Sequence, residues 1–196
     1  MWREKLSHLV EGLPHPAWGA AHVQRVYAMT LRLAGEEDLT IEEEALYAAA
    51  HLHDLGALPP YRRAGMDHAE RSAAVAGELL PSLGFPPAKL ELVQEIILHH
   101  MFGADPGPSA EAILFRDADT LDFLGAIGLA RLLSLAGLDD WTPDLPAAIT
   151  LSKRFGRELP DRLCSRSAKG IGRIRQGEME AFLGRLGEET LNWQAI

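Results

Sequence analysis

AEAILFRDADTLDFLGAIGLARLLSLAG, residues 110–137, sets the reading of the whole chain. Its apolar residues recur three and four apart rather than in alternation, which is the period of a helix and not of a strand. Three carboxylates, Asp117, Asp119 and Asp122, nevertheless sit inside this apolar run, bracketed by Phe115, Leu121, Phe123 and Leu124. Asp119 is four residues from both Phe115 and Phe123 and seven from Ala126, so it falls on the inward-facing stripe. A carboxylate there is costly unless a cation or several donors meet it. The stretch implies both a helical fold and a polar site built into it.

The same periodicity extends in both directions. Alanine and leucine dominate while valine and isoleucine are sparse, and the expected fold is an all-α single-domain helical bundle. One helix is expected from about Pro16 to Ala34, closed by Gly35. A second follows the capping box of Thr40 and Glu43 through IEEEALYAAAHLHDL and ends at Gly56 and the pair Pro59 and Pro60. The third starts at the capping Asp67, with Glu70 three residues on, and stops by Pro81. AKLELVQEIILHHMF forms the fourth, GADPGPS breaks the chain, and residues 110–137 form the fifth. Two more are expected over about Leu145 to Glu158 and Leu163 to Glu189. No repeat or long linker divides residues 1–196, so the motif core over about 16–135 and the helices over about 145–190 are read as one domain.

With 196 residues, 47% of them hydrophobic, the chain can bury a substantial core, which excludes disorder as its main state. Its 19 basic and 28 acidic residues leave a net charge of −9, a poor match to a nucleic-acid polymer. Cys164 is the single cysteine and builds neither a disulfide framework nor a thiolate-rich zinc site. No stretch reads as a signal peptide or a membrane span, and a cytoplasmic location is expected. The sequence does not fix the oligomeric state.

Histidines carry the chemistry. Of the eight, His22, His53, His68, His99 and His100 lie on or at the starts of helices in company with acids. Adjacent helical residues such as His53 and Asp54 diverge by about 100°, so they converge on one ion only near a helix end, where Gly56 places them. Two imidazoles with two carboxylates form a mixed nitrogen and oxygen set that suits Mn, Fe, Co, Ni, Zn or Mg and leaves positions for water and a substrate oxygen. His51, two residues before His53, points elsewhere on its helix.

The order of His22 in AAHVQRV, His53 and Asp54 in AAHLHDLG, and Asp119 in RDADTLD resembles the HD-domain superfamily of metal-dependent phosphohydrolases. DHAERSA, EIILHHMF, RDADTLDFLGAIGLAR and the tail SRSAKGIGRIRQGEMEAFLGRL extend the resemblance to the small bacterial single-domain members, over nearly the whole chain. It implies that His22, His53, Asp54 and Asp119 hold one divalent ion, that Asp54 is catalytic, and that His68 with one of His99 and His100 lines the cavity for a second ion or a substrate phosphate. Arg25, one turn after His22, is the expected phosphate clamp, with Lys153, Lys169 and Arg175 as further contacts to an anionic substrate. The implied activity is hydrolysis of a small phosphorylated molecule, foremost a nucleotide, with release of pyrophosphate from nucleoside triphosphates.

Two departures narrow the resemblance. The monophosphatase branch carries a glutamate shortly after the doublet, where this chain has Leu55, Gly56, Ala57 and Leu58, and the glycine-tyrosine-proline motif of the cyclic-dinucleotide phosphodiesterases is absent. The competing readings are a di-iron oxygenase of the same superfamily, which needs His68 and His99 or His100 as ligands, and a catalytically silent helical module that binds a nucleotide or a protein.

Overall fold

The computed structural model describes residues 1–138 and 140–195. Among the described residues there are nine α-helices and no β-strand. They are α1 (Trp2–Glu11), α2 (Ala20–Glu36), α3 (Glu43–Leu52), α4 (His68–Leu83), α5 (Leu90–Leu98), α6 (Ala110–Leu121), α7 (Gly125–Ser134), α8 (Leu145–Glu158) and α9 (Arg166–Glu189). None of them is long and apolar enough to cross a membrane. The chain forms two compact units, Met1–Asp119 and Thr120–Ile196.

In the first unit α3 is the central element. It packs against α2, α5, α1 and α4, while α4 lies along α5 and against a 3-10 turn at Leu55–Ala57. Leu6, Val26, Leu33, Leu46, Leu52, Leu80, Ile96, Ile97, Leu114 and Phe115 are buried here. The second unit packs α7, α8 and α9 against one another, with Phe123 edge-on to Phe155 at 5.4 Å between ring centroids.

Several expected boundaries move. The sequence reading has no counterpart to α1, although Leu6 and Val10, four residues apart, are both buried. The helix expected from Pro16 starts at Ala20 and runs through Gly35 to Glu36. An isolated glycine costs a helix only about 1 kcal/mol, too little to stop one held by a buried face of Val23, Val26, Thr30 and Leu33. Thr40 does not cap α3, which begins at Glu43 with Glu42 as its N-cap residue and no side-chain cap; the Glu42 N–H donates instead to Glu111 Oε1 at 2.8 Å. Local capping is displaced there by a tertiary partner.

Asp67 caps α4 as expected, accepting from the N–H groups of Ala69 and Glu70. The helix passes Pro81 and closes at Gly84, whose φ of 84° suits glycine. The fourth helix ends at Leu98 rather than at Phe102. The long fifth helix is two: α6 stops at Leu121, Leu124 is extended, and α7 starts at Gly125 with φ 72°. At Gly125 a side chain would also meet Arg175 Cγ at 2.8 Å, so conformation and space both demand glycine. The last helix starts at Arg166, three residues later than expected, because Ser165 accepts from the Ala168 N–H and caps it.

Candidate metal centre

The end of α3, the turn after it and the start of α4 supply His53, Asp54 and His68. Because α3 ends at Leu52, His53 is its C-cap residue and Asp54 lies beyond the helix, which frees the two neighbours to converge. The turn then brings Gly56 against the first residues of α4, where its N–H donates to Ser72 Oγ at 2.8 Å. A Cβ on Gly56 would run into the His68 carbonyl oxygen. Only glycine lets the start of α4 come this close and carry His68 to the side of Asp54.

Two groups of donor atoms result. In the first, His22, His53 and Asp119 are all buried and offer atoms within 4.8 Å of one another. In the second, Asp54, His68 and His100 do the same, with His68 partly exposed. The Nε2 atoms of His22 and His53 face each other at 3.2 Å, and Asp119 Oδ1 lies 3.4 Å from that of His22. The Nε2 atoms of His68 and His100 face each other at 3.3 Å. Asp54 belongs to both sets: Oδ2 is 3.1 Å from His53 Nε2 and 3.4 Å from His22 Nε2, while Oδ1 is 3.8 Å from His100 Nε2.

Second contacts orient the rings. His53 Nδ1 donates to the Ala50 carbonyl at 3.0 Å and His100 Nδ1 to that of Ile97 at 2.6 Å. With a proton held on Nδ1, each ring turns Nε2 toward the cluster, the atom through which it would bind an ion. Phe115 packs edge-on to His53 at 5.3 Å.

The electrostatics call for positive charge. Burial opposes protonation of His53, but Asp54 and then Asp119 overcome it and raise its pKa to about 9. Burial likewise opposes ionisation of Asp54, yet His53 and His22 hold it well below the usual carboxylate range. Burial and the neighbouring His53 push His100 down to about 4, so its ring is neutral near pH 7. Asp54 Oδ2 is buried and faces the Nε2 atoms of His53 and His22. Facing imidazole nitrogens and two carboxylates gathered at one place fit divalent ions bound through nitrogen and oxygen.

The remaining residues lie outside both groups. His99 is not in either group: its Nδ1 donates to the Asp105 carbonyl at 2.9 Å, so of the histidine pair it is His100 that enters the cluster. Arg25 is half-buried on α2 and lines, with His15, Ala20, Ala21 and His22, a cavity of about 530 Å³. His51 stacks on Tyr47 at 4.2 Å, and Trp18 lies tilted against His15 at 4.5 Å. Asp122 pairs with Arg131 at 2.8 Å, both buried in the second unit. Also in that unit, Lys153 Nζ sits 3.2 Å from the centroid of the Trp193 ring, Arg175 donates to the Leu121 carbonyl at 2.6 Å, and Lys169 is exposed in the first turn of α9. Arg116, buried on α6, is not among the expected site residues, although its place inside RDAD, three residues from Asp119, is a signal for it.

The HD domain family model matches residues 19–124, more than half of the chain. The chain belongs to the HD-domain family. Similar solved structures carry the same fold across its length. YpgQ of Bacillus subtilis is 22% identical, with a TM-score of 0.71 over 96% of this chain and 95% of its own. The same protein in complex with ADP is 21% identical, with a TM-score of 0.68 over 96% and 94%. An HD-superfamily hydrolase of Bacillus thuringiensis is 25% identical, with a TM-score of 0.66 over 99% and 97%. The sequence matches no curated protein. Within the HD family match lie His22, the doublet His53-Asp54 that gives the family its signature, His68, His100 and Asp119.

Proposed function

We propose that this HD-domain protein is a metal-dependent phosphohydrolase that acts on a small phosphorylated molecule, foremost a nucleotide, and releases pyrophosphate from nucleoside triphosphates. One observation carries the reading: six nitrogen and oxygen ligands, from α2, the residues just after α3, the start of α4, the residues just after α5 and α6, converge in two groups that share Asp54. His22, His53 and Asp119 would hold one ion and His68 and His100 a second, with Asp54 between them. The similarity to YpgQ, a protein solved with ADP, supports a nucleotide as the substrate to test first.

Bound divalent ions would supply Lewis acidity, which makes water a nucleophile at neutral pH and stabilises charge growing on the phosphoryl oxygens. The chain's own residues do the rest. Ala50 and Ile97 carbonyls fix the tautomers of His53 and His100, so neither ring must turn to present Nε2. Burial of His22, His53, Asp119 and His100 keeps bulk water from competing for the same donors. Arg25, at the wall of the cavity beside His22, offers a planar guanidinium that pairs with phosphate oxygens in a two-point contact. We assign no substrate contact to Lys153 or Arg175, which are engaged with Trp193 and the Leu121 carbonyl, or to Lys169.

Metal analysis by mass spectrometry on protein purified without chelators, followed by a phosphate and pyrophosphate release screen over nucleotides, tests the proposal. Bound divalent metal and release from at least one nucleotide are expected. No bound metal, and no release with any added divalent ion, would overturn it. The second group also favours one alternative: two irons with oxygen consumption in place of phosphate release would identify the di-iron oxygenase.

A further inference from the structure

His68 opens α4 and Asp54 directly precedes the 3-10 turn, but no regular element holds His100, the third ligand of the second group. α5 ends at Leu98, and His99 and His100 follow it in non-helical backbone, ahead of a loop that reaches α6 at Ala110. A ring at such a place keeps its direction only if the backbone on both sides is tied down. On the near side, His100 Nδ1 is bonded to Ile97. On the far side the tie is Arg116.

Arg116 projects from α6 and is 3% exposed. Its Nε donates to the Met101 carbonyl at 3.3 Å, and its Nη2 to those of Phe102 at 2.9 Å and Ala104 at 3.3 Å. A buried guanidinium is costly without acceptors, and these three carbonyls belong to the residues that follow His100. His99 adds a second tie to the Asp105 carbonyl, and Gly107 lies so near its ring that a Cβ there would be 3.2 Å from His99 Cγ. The loop is gathered around one buried cation, on which three of its backbone carbonyls converge.

We infer that Arg116 is a positioning residue for the second ion: by drawing the carbonyls of Met101, Phe102 and Ala104 to one point, it fixes the backbone that aims His100 Nε2 at His68 and Asp54. The inference rests on the proposed two-ion centre. Arg116 also sits one turn of α6 before Asp119, so the same helix that supplies a ligand of the first group anchors the loop of the second. Lysine cannot take over, because an ammonium on a flexible stem does not present a planar fork to three separate acceptors.

The test compares wild type, Arg116→Lys, Arg116→Ala, His99→Ala and His100→Ala by Mn or Zn bound per chain and by chelator competition. Wild type is expected to take two ions and His100→Ala one, which marks the signature of the first group alone. Arg116→Lys should weaken the second ion about tenfold or more, in line with the loss of an outer partner at a metal site, and leave the first within twofold. Arg116→Ala should lose the second ion, and millimolar guanidinium should restore part of it. His99→Ala should weaken the same ion by a smaller factor, which keeps the test alive if Arg116→Ala does not fold. Wild-type affinity for both ions in Arg116→Lys would overturn the inference. So would equal weakening of both ions, since Arg116 would then support the fold at large. A wild-type protein that binds a single ion would overturn the two-ion centre itself, before any Arg116 variant is compared.

Discussion

His53 Nε2 and Asp54 Oδ2 lie 3.1 Å apart although the two residues are neighbours in the chain. In a continuing helix their side chains would diverge by about 100°. The convergence exists because α3 stops at Leu52 and Asp54 takes its place on the following turn, with one oxygen toward each donor group.

Asp54→Ala should therefore remove more from the site than any other single ligand change. Both ions are expected to weaken, and hydrolysis should fall by more than the about 100-fold that the loss of an outer partner costs. Circular dichroism on the same sample should retain its helical signal, since Asp54 follows the helix rather than forming part of it. Undiminished turnover after metal is added back would remove Asp54 from the mechanism.

Much of this centre is legible in the sequence. Asp119 can be placed on the inward stripe from its spacing to Phe115 and Phe123, and it is 3% exposed. Asp67 is readable as a cap because its partners are local. The choice between His99 and His100 is not readable, since it depends on where α5 ends and on a loop held by Arg116 from a distant helix. The break after Leu121 is hidden for a similar reason: FLGAIG has helical periodicity, and neither the φ of 72° at Gly125 nor the approach of Arg175, fifty residues on, is written in it. Local chemistry is written in local sequence, whereas ends decided by tertiary partners are not.

Gly56→Ala is a test of close approach. A Cβ there would run into the His68 carbonyl oxygen and lie 2.7 Å from the Ser72 nitrogen, both of them backbone atoms that cannot swing aside. Overpacking of this kind costs about 1–3 kcal/mol. Denaturant unfolding should register that loss, and metal titration should find the ion near His68 weakened more than the one near His22.

Asp122 separates structure from chemistry within RDADTLD. Its carboxylate is paired with Arg131 at 2.8 Å, both are buried, and Arg131 also donates to the Asp122 carbonyl. Asp122→Ala should destabilise the fold by about 3–5 kcal/mol by leaving a buried guanidinium without its carboxylate. The double variant Asp122→Leu with Arg131→Met should recover much of that. Metal content per folded chain should be unchanged in each, and a loss of metal would return Asp122 to the site.

Stability should also respond to alkali through Tyr27. Burial and the hydrogen bond to Glu43 raise its pKa from 10.0 to about 12. Between those values the folded chain keeps a phenol proton that the unfolded chain has released, so unfolding releases a proton and stability falls as pH rises through the window. Arg3, and then Tyr27, lower the pKa of Glu43, so its contribution is present above its ordinary value of 4.5 and is lost as pH falls below it. Tyr27→Phe should flatten the alkaline limb in unfolding curves measured from about pH 9 to 12. A limb that stays as steep would assign it to another group.

Trp2 meets Phe85 edge-on at 4.9 Å and Tyr47 at 5.7 Å, while Arg3 beside it lies over Tyr47 and pairs with Glu43. The first helix is thus a lid of the hydrophobic core, although it lies outside the stretch that identifies the family. A shortened protein begun at residue 19 would leave this aromatic slot bare, and an uncovered apolar surface of that kind attracts its like in neighbouring molecules. Solubility, rather than chemistry, is where the loss of those residues would first be felt.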